Sequence, residues 1–221
     1  LLTHKKMYLR GIFEELMWIL RGQTDSKILE SKNVNIWKDN SSREFLNKHG
    51  LEKYEEGWIG LTYGHSMRNL RGTYSADGKN RDGFDQLNYI LNLIKTEPDS
   101  RRMIIDLWDG HDIPEMALTP CMMIYNFYCD TVNNRLNLHM FIRSSDTILG
   151  LPWNMLKISV TDQHIYCNHE EVAREICKRE PFGFSQLKIL RKVKNIEEFN
   201  FEDVELSLYE SHSSIKAKMA I

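Results

Sequence analysis

Pro98 divides the chain into two stretches whose apolar residues repeat with different periods, and that change limits the folds available. Upstream, Leu87, Ile90, Leu91 and Ile94 keep helical spacing from Asp85 to Lys95, and Pro98 stops the run. Earlier still, Leu9, Ile12, Phe13, Leu16, Met17, Ile19 and Leu20 cover a broad helical face between Met7 and Leu20, ended by Gly22 and Thr24-Asp25-Ser26. Downstream, Arg101 to Trp108, Met122 to Tyr128 and Leu136 to Ile142 are short runs of aliphatic and aromatic residues that predict strands, with Asn133-Asn134 as a hairpin turn.

Short helices are expected to start at Asp25 and at Ser41 or Ser42, where a side-chain oxygen can cap free amides. Asn168 is expected to cap a helix running through Glu171 to Glu180, and Leu187 to Val193 and Val204 to Leu208 read as two more strands. From Glu55 to Asp82, Gly57, Gly60, Gly64, Gly72 and Gly78 interrupt any period, so irregular loops are expected there. Helices and strands without regular βαβ spacing predict an α/β or α+β fold on one mixed sheet. A length of 221 residues suits a single domain over 1–221.

Lys plus Arg total 29 against 31 Asp plus Glu, a net charge of -2 that gives no global field for nucleic acid, so no DNA partner is expected. No apolar run approaches the roughly 20 residues of a membrane span, and Leu1-Leu2-Thr3-His4-Lys5-Lys6 lacks the apolar core of a secretory signal. A cytoplasmic or nuclear protein without a membrane partner is expected. Cys121, Cys129, Cys167 and Cys177 lack paired metal-ligand spacing and disulfide density, so reduced thiols and no metal are expected. The common nucleotide and metal motifs, from the P-loop to His-Glu-x-x-His, are absent.

Chemistry gathers around one thiol. Cys121 follows Pro120 at the mouth of an expected strand, a position that could present it to a cleft. Free cysteines are usually buried and inert, and a neighbouring cation changes that. Arg143, at the end of the hairpin's second strand, could lie beside Cys121, and with Ser144 and the pair Arg101-Arg102 it supplies what a phosphate needs: guanidinium forks and hydroxyls. Asn154, after Gly150-Leu151-Pro152-Trp153, carries a donor and an acceptor suited to the edge of a uracil-like ring, or to capping a helix. His164 and Tyr166 would share one strand face. Glu15 is a carboxylate in apolar surroundings, exposed by default, and Trp37 and Trp58 offer flat faces that more often belong to a core.

Taken in order, these segments resemble thymidylate synthase: Glu14-Glu15-Leu16-Met17-Trp18, Ile36-Trp37, Gly60-Leu61-Thr62-Tyr63-Gly64, Asp99-Ser100-Arg101-Arg102, Ala117-Leu118-Thr119-Pro120-Cys121, Arg143-Ser144-Ser145-Asp146, Leu149-Gly150-Leu151-Pro152-Trp153-Asn154, Asp162-Gln163-His164-Ile165-Tyr166-Cys167-Asn168-His169, and Ile215 to Ile221. The resemblance implies a mixed sheet covered by helices, with a sheet face at a homodimer interface. It implies that Cys121 attacks C6 of dUMP, that 5,10-methylenetetrahydrofolate gives a one-carbon unit and then hydride, and that dTMP and dihydrofolate leave. It counts Arg143 and Asn154 among the catalytic residues and makes Arg143, Ser144 and Ser145 substrate-site residues, with Arg101 and Arg102 reaching the other subunit's phosphate. Asn154 reads the base, and as Asn rather than Asp favours uracil over cytosine. His164 and Tyr166 hold the ribose, while Glu15 and Tyr63 belong to the proton-transfer network. Trp37, Asp146, Leu149, Gly150, Trp153 and Ala220 fall at the folate site, Asp146 also beside the substrate.

Against the pattern that the resemblance implies, Met122 stands where many members have His, Ile142 replaces the usual Gln, Trp153 replaces Phe, Ser66 and Met67 replace the common Gln-Trp, and Asp109 replaces Asn. Two family segments are missing: an N-terminal stretch with a phosphate-binding arginine, and about a helix's worth between Asn154 and Lys157, both expected to exist unseen rather than to be deleted. Two other functions fit the same resemblance: a deoxyuridylate or deoxycytidylate hydroxymethylase, which adds water instead of hydride, and a homologue that has lost catalysis and binds RNA or a protein partner.

Overall fold

A computed structural model describes residues 4–148, 150, 157–160 and 163–217, with the backbone alone at 157–160 and 163–164. Helix α1, Leu9–Leu20, buries Met17, Trp18 and Ile19 as its apolar spacing requires, but Leu16, counted in the same apolar face, is exposed. Helices α2, Ser26–Glu30, and α3, Arg43–Lys48, begin where capping residues stand: the Asp25 carboxylate accepts the Lys27 amide and the Ser42 hydroxyl accepts the Phe45 amide.

The stretch from 55 to 82 is not all loop, because Tyr63–Arg68 forms helix α4. All six of its residues are buried, the polar His65, Ser66 and Arg68 included, so no side faces solvent and there is no apolar period to read. Its entry is tightly confined. Gly60 has φ 79°, and a side chain there would come within 1.9 Å of the Glu115 carbonyl oxygen; Leu61 N–H donates to that same oxygen at 3.1 Å, and Ala117 N–H donates to Ile59 O at 3.0 Å. Residues 59–62 are thereby laid against 115–118, which carries Tyr63 toward Cys121.

Helix α5, Gln86–Thr96, is capped by Asp85 and packs on α4 and on strand β1, Ile104–Asp106. Asp85 also receives Nε and Nη2 of Arg68, each at 2.9 Å, joining the end of α4 to the start of α5. Strands β2, Met122–Asp130, and β3, Arg135–Ile142, pair antiparallel. Their connection spans residues 131–134, with Asp130 accepting the Asn133 amide and Asn134 at φ 52°, so the hairpin is longer than Asn133-Asn134 alone.

The main sheet runs β1-β2-β3-β5, where β5, Lys157–Val160, joins β3 in parallel, so the expected mixed sheet is present. Strand β4, Ser145–Asp146, pairs in parallel with β6, Gln163–His164, and Tyr166 lies beyond β6 rather than on the same strand face as His164. A 3-10 turn, Cys167–His169, takes up Asn168, and helix α6, Glu170–Lys178, starts without a side-chain cap; the expected Asn168 cap is not formed. Strands β7, Gln186–Ile189, and β8, Val204–Ser207, make a separate antiparallel pair.

The core lies between the helices and one face of the main sheet. Trp18, Leu29, Leu46, Leu51, Ile59, Ile90, Met103, Ile105 and Leu107 are buried there, each contributing about 1.5–3 kcal/mol by leaving water. The other face of the sheet carries Ile104, Asn126, Tyr128 and His139, all exposed and tied by register to one side.

Candidate active site

A cavity of about 500 Å³ opens where α1, the turn after α2, α4, the start of β2 and β4 converge. One wall is a chain of four side chains. The indole N–H of Trp37 donates to Glu15 Oε1 at 2.7 Å. The Trp37 ring meets Tyr63 edge to face, centroids 5.9 Å apart, and the Tyr63 hydroxyl accepts the Cys121 backbone amide at 2.9 Å. All four line the cavity. Glu15 is half-buried and paired, not a surface residue.

Burial, reinforced by the neighbouring acidic groups of Cys121, Tyr125 and Glu15 and opposed by the hydrogen bond from the Cys121 amide, raises the Tyr63 pKa well above a phenol's ordinary value. Tyr125, whose hydroxyl donates to Met122 Sδ at 3.5 Å, is pushed up in the same way by burial and then by Glu15. Both phenols therefore keep their protons at neutral pH. Tyr63 can hold the Cys121 amide with a lone pair and still have a proton to give.

A second group of lining residues is polar. Ser144, Ser145 and Asp146 belong to it, with Gly150 and Tyr166 beside them. Asp146 Oδ1 accepts the Ile148 amide at 2.8 Å, and Oδ2 stands 3.7 Å from Nδ1 of the buried His169. Ser145 Oγ is buried with no hydrogen-bond partner. Lys5 donates from Nζ to the Ile148 carbonyl at 2.5 Å; burial lowers its pKa, and Asp146 opposes that shift. An aromatic plane, a carboxylate and a mostly apolar interior of this size fit a planar heterocycle with polar edges, such as a pyrimidine or a pterin.

Arg143 does not line the cavity. Its strand lies antiparallel beside Cys121, as expected, with Arg143 N–H donating to Cys121 O at 2.9 Å. Its guanidinium turns back onto Pro120 O at 3.0 Å and Thr119 Oγ1 at 2.8 Å. Arg101 and Arg102 are exposed just before β1, also away from the cavity. Trp58 packs in the core against Tyr74. Leu149, Trp153, Asn154 and Ala220 lie outside the described residues, and the side chain of His164 does too.

Lys5 and Asn40 also line the cavity and were missed by the sequence reading, while Leu118 and Ile215 line it from within the quoted segments Ala117–Cys121 and Ile215 to Ile221 without having been singled out. Lys5 and Asn40 come from segments without period, and the signal available for Asn40 was its position within a turn of Trp37. Of the departures, Met122 lines the cavity, whereas Ser66, Met67, Asp109 and Ile142 do not. Ser66 donates to Leu61 O at 2.8 Å, Ile142 is fully buried, and Asp109 is held by Arg71, Nε to Oδ2 at 2.7 Å. Among the described residues, no group of three or more His, Cys, Asp or Glu could hold a metal ion.

The family description of thymidylate synthase matches residues 1–161 and 156–221. The chain is 37% identical to human thymidylate synthase over 243 residues, covering all of this chain and 77% of the human protein. It is 38% identical over 244 residues to thymidylate synthase of Herpesvirus ateles, covering all of this chain and 83% of that protein. With the maize bifunctional dihydrofolate reductase-thymidylate synthase it shares 36% identity over 244 residues, all of this chain and 46% of the longer protein. These alignments exceed the chain's 221 residues, and the two matched stretches meet just after Asn154. Only Met155 and Leu156 separate Asn154 from Lys157, so the helix expected there is absent from this chain rather than unseen. With both matched stretches and full-length relatives in agreement, the chain belongs to the thymidylate synthase family.

Proposed function

We propose that the chain is a methyltransferase that converts dUMP to dTMP with 5,10-methylenetetrahydrofolate as cosubstrate. The observation that carries this reading is the line Glu15–Trp37–Tyr63–Cys121 along one wall of the cavity, closed by hydrogen bonds of 2.7 and 2.9 Å at its ends. It gives a nucleophile whose backbone is anchored, a protonated phenol beside it and a carboxylate within the same cavity.

In this reading the Cys121 sulfur adds to C6 of the pyrimidine, and the electron pair of the C5–C6 bond moves toward the C4 oxygen, leaving C5 nucleophilic. Tyr63 and Glu15 hold and move the proton at C5. Arg143, Arg101 and Arg102 take the phosphate together with Ser144, the latter two arginines in a second subunit's site. Ser145 and Asp146 border the substrate, Asn154 reads the uracil edge, and His164 and Tyr166 hold the ribose. Trp37, Asp146, Leu149, Gly150, Trp153 and Ala220 would hold the folate. The folate supplies a one-carbon unit and then hydride, leaving as dihydrofolate.

The homodimer belongs to the same proposal. Its support is the exposed sheet face with Ile104, Asn126, Tyr128 and His139, of which Ile104 lies on β1, the strand whose approach carries Arg101 and Arg102. A cytoplasmic or nuclear location is proposed alongside. One observation favours the hydroxymethylase as a second reading: Met122, which replaces a common histidine, lines the cavity with Trp37, where water access decides between hydride and hydroxyl.

Replacing Cys121 with Ala tests the nucleophile. Turnover is expected to fall below detection while dUMP still binds, because base and phosphate contacts lie elsewhere. Full turnover by the variant would remove Cys121 from the mechanism.

A further inference from the structure

A β-bulge re-aims one residue of the cavity wall. Strand β2 pairs Met122 with Ile142 and Ile124 with Phe141, so Met123 is an extra residue with no opposite number on β3. Along a regular strand side chains alternate, and positions 122 and 125 fall on opposite faces. The extra residue breaks that alternation and brings the two together: the Tyr125 hydroxyl donates to Met122 Sδ at 3.5 Å. Met122, next after Cys121, lines the cavity with Glu15 and Trp37.

The contact matters because of what a methionine is. Its side chain has several rotatable bonds and adapts to whatever space it meets, so packing alone specifies it poorly. Tyr125 is the firmer partner, a ring packed against the core, and the burial that pushes its pKa up keeps the proton on its hydroxyl. A buried hydroxyl proton needs an acceptor, and the Met122 sulfur supplies one. Held in this way, the thioether turns a surface without a strong donor or acceptor toward the cavity, and a water there finds nothing to hold it.

We infer that Tyr125 is a positioning residue for Met122: its hydroxyl fixes the thioether as the wall beside Cys121 that keeps water from the one-carbon unit. This rests on the reading of the cavity as the site of dUMP methylation. On that reading the methylene carried on C5 accepts one of two nucleophiles. Hydride comes from tetrahydrofolate, which also releases a proton and leaves as dihydrofolate; hydroxide comes from water, whose proton passes to solvent, and tetrahydrofolate then leaves unchanged. In both cases the bond from C6 to sulfur breaks and its electron pair returns to Cys121. The wall that Tyr125 holds favours hydride.

The test measures both nucleotide products and both folate products formed from dUMP and 5,10-methylenetetrahydrofolate by the full chain, Tyr125→Phe, Met122→Leu and the double variant. Alongside it, NMR of the ligand-free protein records isotope-labelled methionine methyl groups, the Met122 signal being assigned by its loss in Met122→Leu. Tyr125→Phe is expected to raise the hydroxymethyl share about fivefold, as loss of one modest hydrogen bond allows. Its KM for dUMP should stay within about twofold of the parent's, and its Met122 methyl signal should move toward that of a freely rotating side chain. Met122→Leu is expected to raise the share by a similar factor, and the double variant no further than either single, because the two residues act as one unit. If Tyr125→Phe does not fold, Met122→Leu, which leaves Tyr125 without the sulfur, is read by the product share. An unchanged share in either single variant, a double variant that exceeds both, or a Met122 signal that does not move would each overturn the assignment. A full chain that itself makes chiefly the hydroxymethyl nucleotide, or neither nucleotide, would overturn it together with the methylation reading, and no substitution is needed to see that.

Discussion

The Tyr63 hydroxyl accepts the backbone amide of Cys121 at 2.9 Å, across 58 positions of sequence. That bond joins a short buried helix to the start of a strand, and it holds the thiol's own residue rather than the thiol.

Tyr63→Phe keeps the ring and its edge contact with Trp37 but leaves the Cys121 amide without its acceptor. Loss of that part-buried bond costs about 1 kcal/mol of stability, read by urea unfolding. If Tyr63 also moves a proton, kcat falls by about 100-fold or more. A variant that loses stability yet keeps kcat would restrict Tyr63 to a structural role.

Glu15→Gln retains an acceptor for the Trp37 indole while removing the charge. Its unfolding midpoint should stay close to the parent's, and kcat should fall about 100-fold with little change in KM for dUMP. Loss confined to KM would mean that Glu15 binds substrate and does not move protons.

His65, within α4, is buried, and its Nε2 has no hydrogen-bond partner. Burial lowers its pKa from 6.5, with Asp112 and Asp82 opposing and Arg81 adding to the shift. Such a group binds its proton more readily unfolded than folded, so the stability it supports is full above about pH 7 and is lost as pH falls below 6.5. His65→Phe should therefore flatten the pH dependence of the urea midpoint between about pH 7 and pH 5. Equal slopes in parent and variant would show that His65 does not titrate with unfolding.

Ile142 is fully buried and pairs with Met122 across the sheet. Restoring the glutamine common at this position would bury an amide among apolar neighbours and cost about 1–3 kcal/mol. A variant as stable as the parent would mean that a polar partner waits there.

The elements that could be read in the sequence are those with a polar boundary. Asp25, Ser42 and Asp85 each cap the helix that their position announces, because a side-chain oxygen ahead of an apolar period has few other uses. Helix α4 gave no such sign: it is buried on every side, and what fixes it is Gly60 pressed on Glu115, a contact over 50 positions away. Asn168 misled for the opposite reason, since a 3-10 turn ahead of α6 already occupies the capping position with the buried His169.

The candidate site was legible where a residue's chemistry is unusual for its surroundings. Cys121 after a proline and Glu15 within an apolar helix both stood out, and both line the cavity. Lys5 did not, because it arrives from the start of the described chain and only packing brings it to the cavity beside Ile215. Arg143 was found, but its fold back onto Thr119 and Pro120 depends on side-chain geometry that no spacing encodes.

The central claim is tested most directly by incubating the purified protein with dUMP and 5,10-methylenetetrahydrofolate and measuring both products. The account predicts dTMP and dihydrofolate in equal amounts, with dCMP a poor substitute. Tetrahydrofolate with a hydroxymethyl nucleotide, or no turnover while dUMP stays bound, would contradict it.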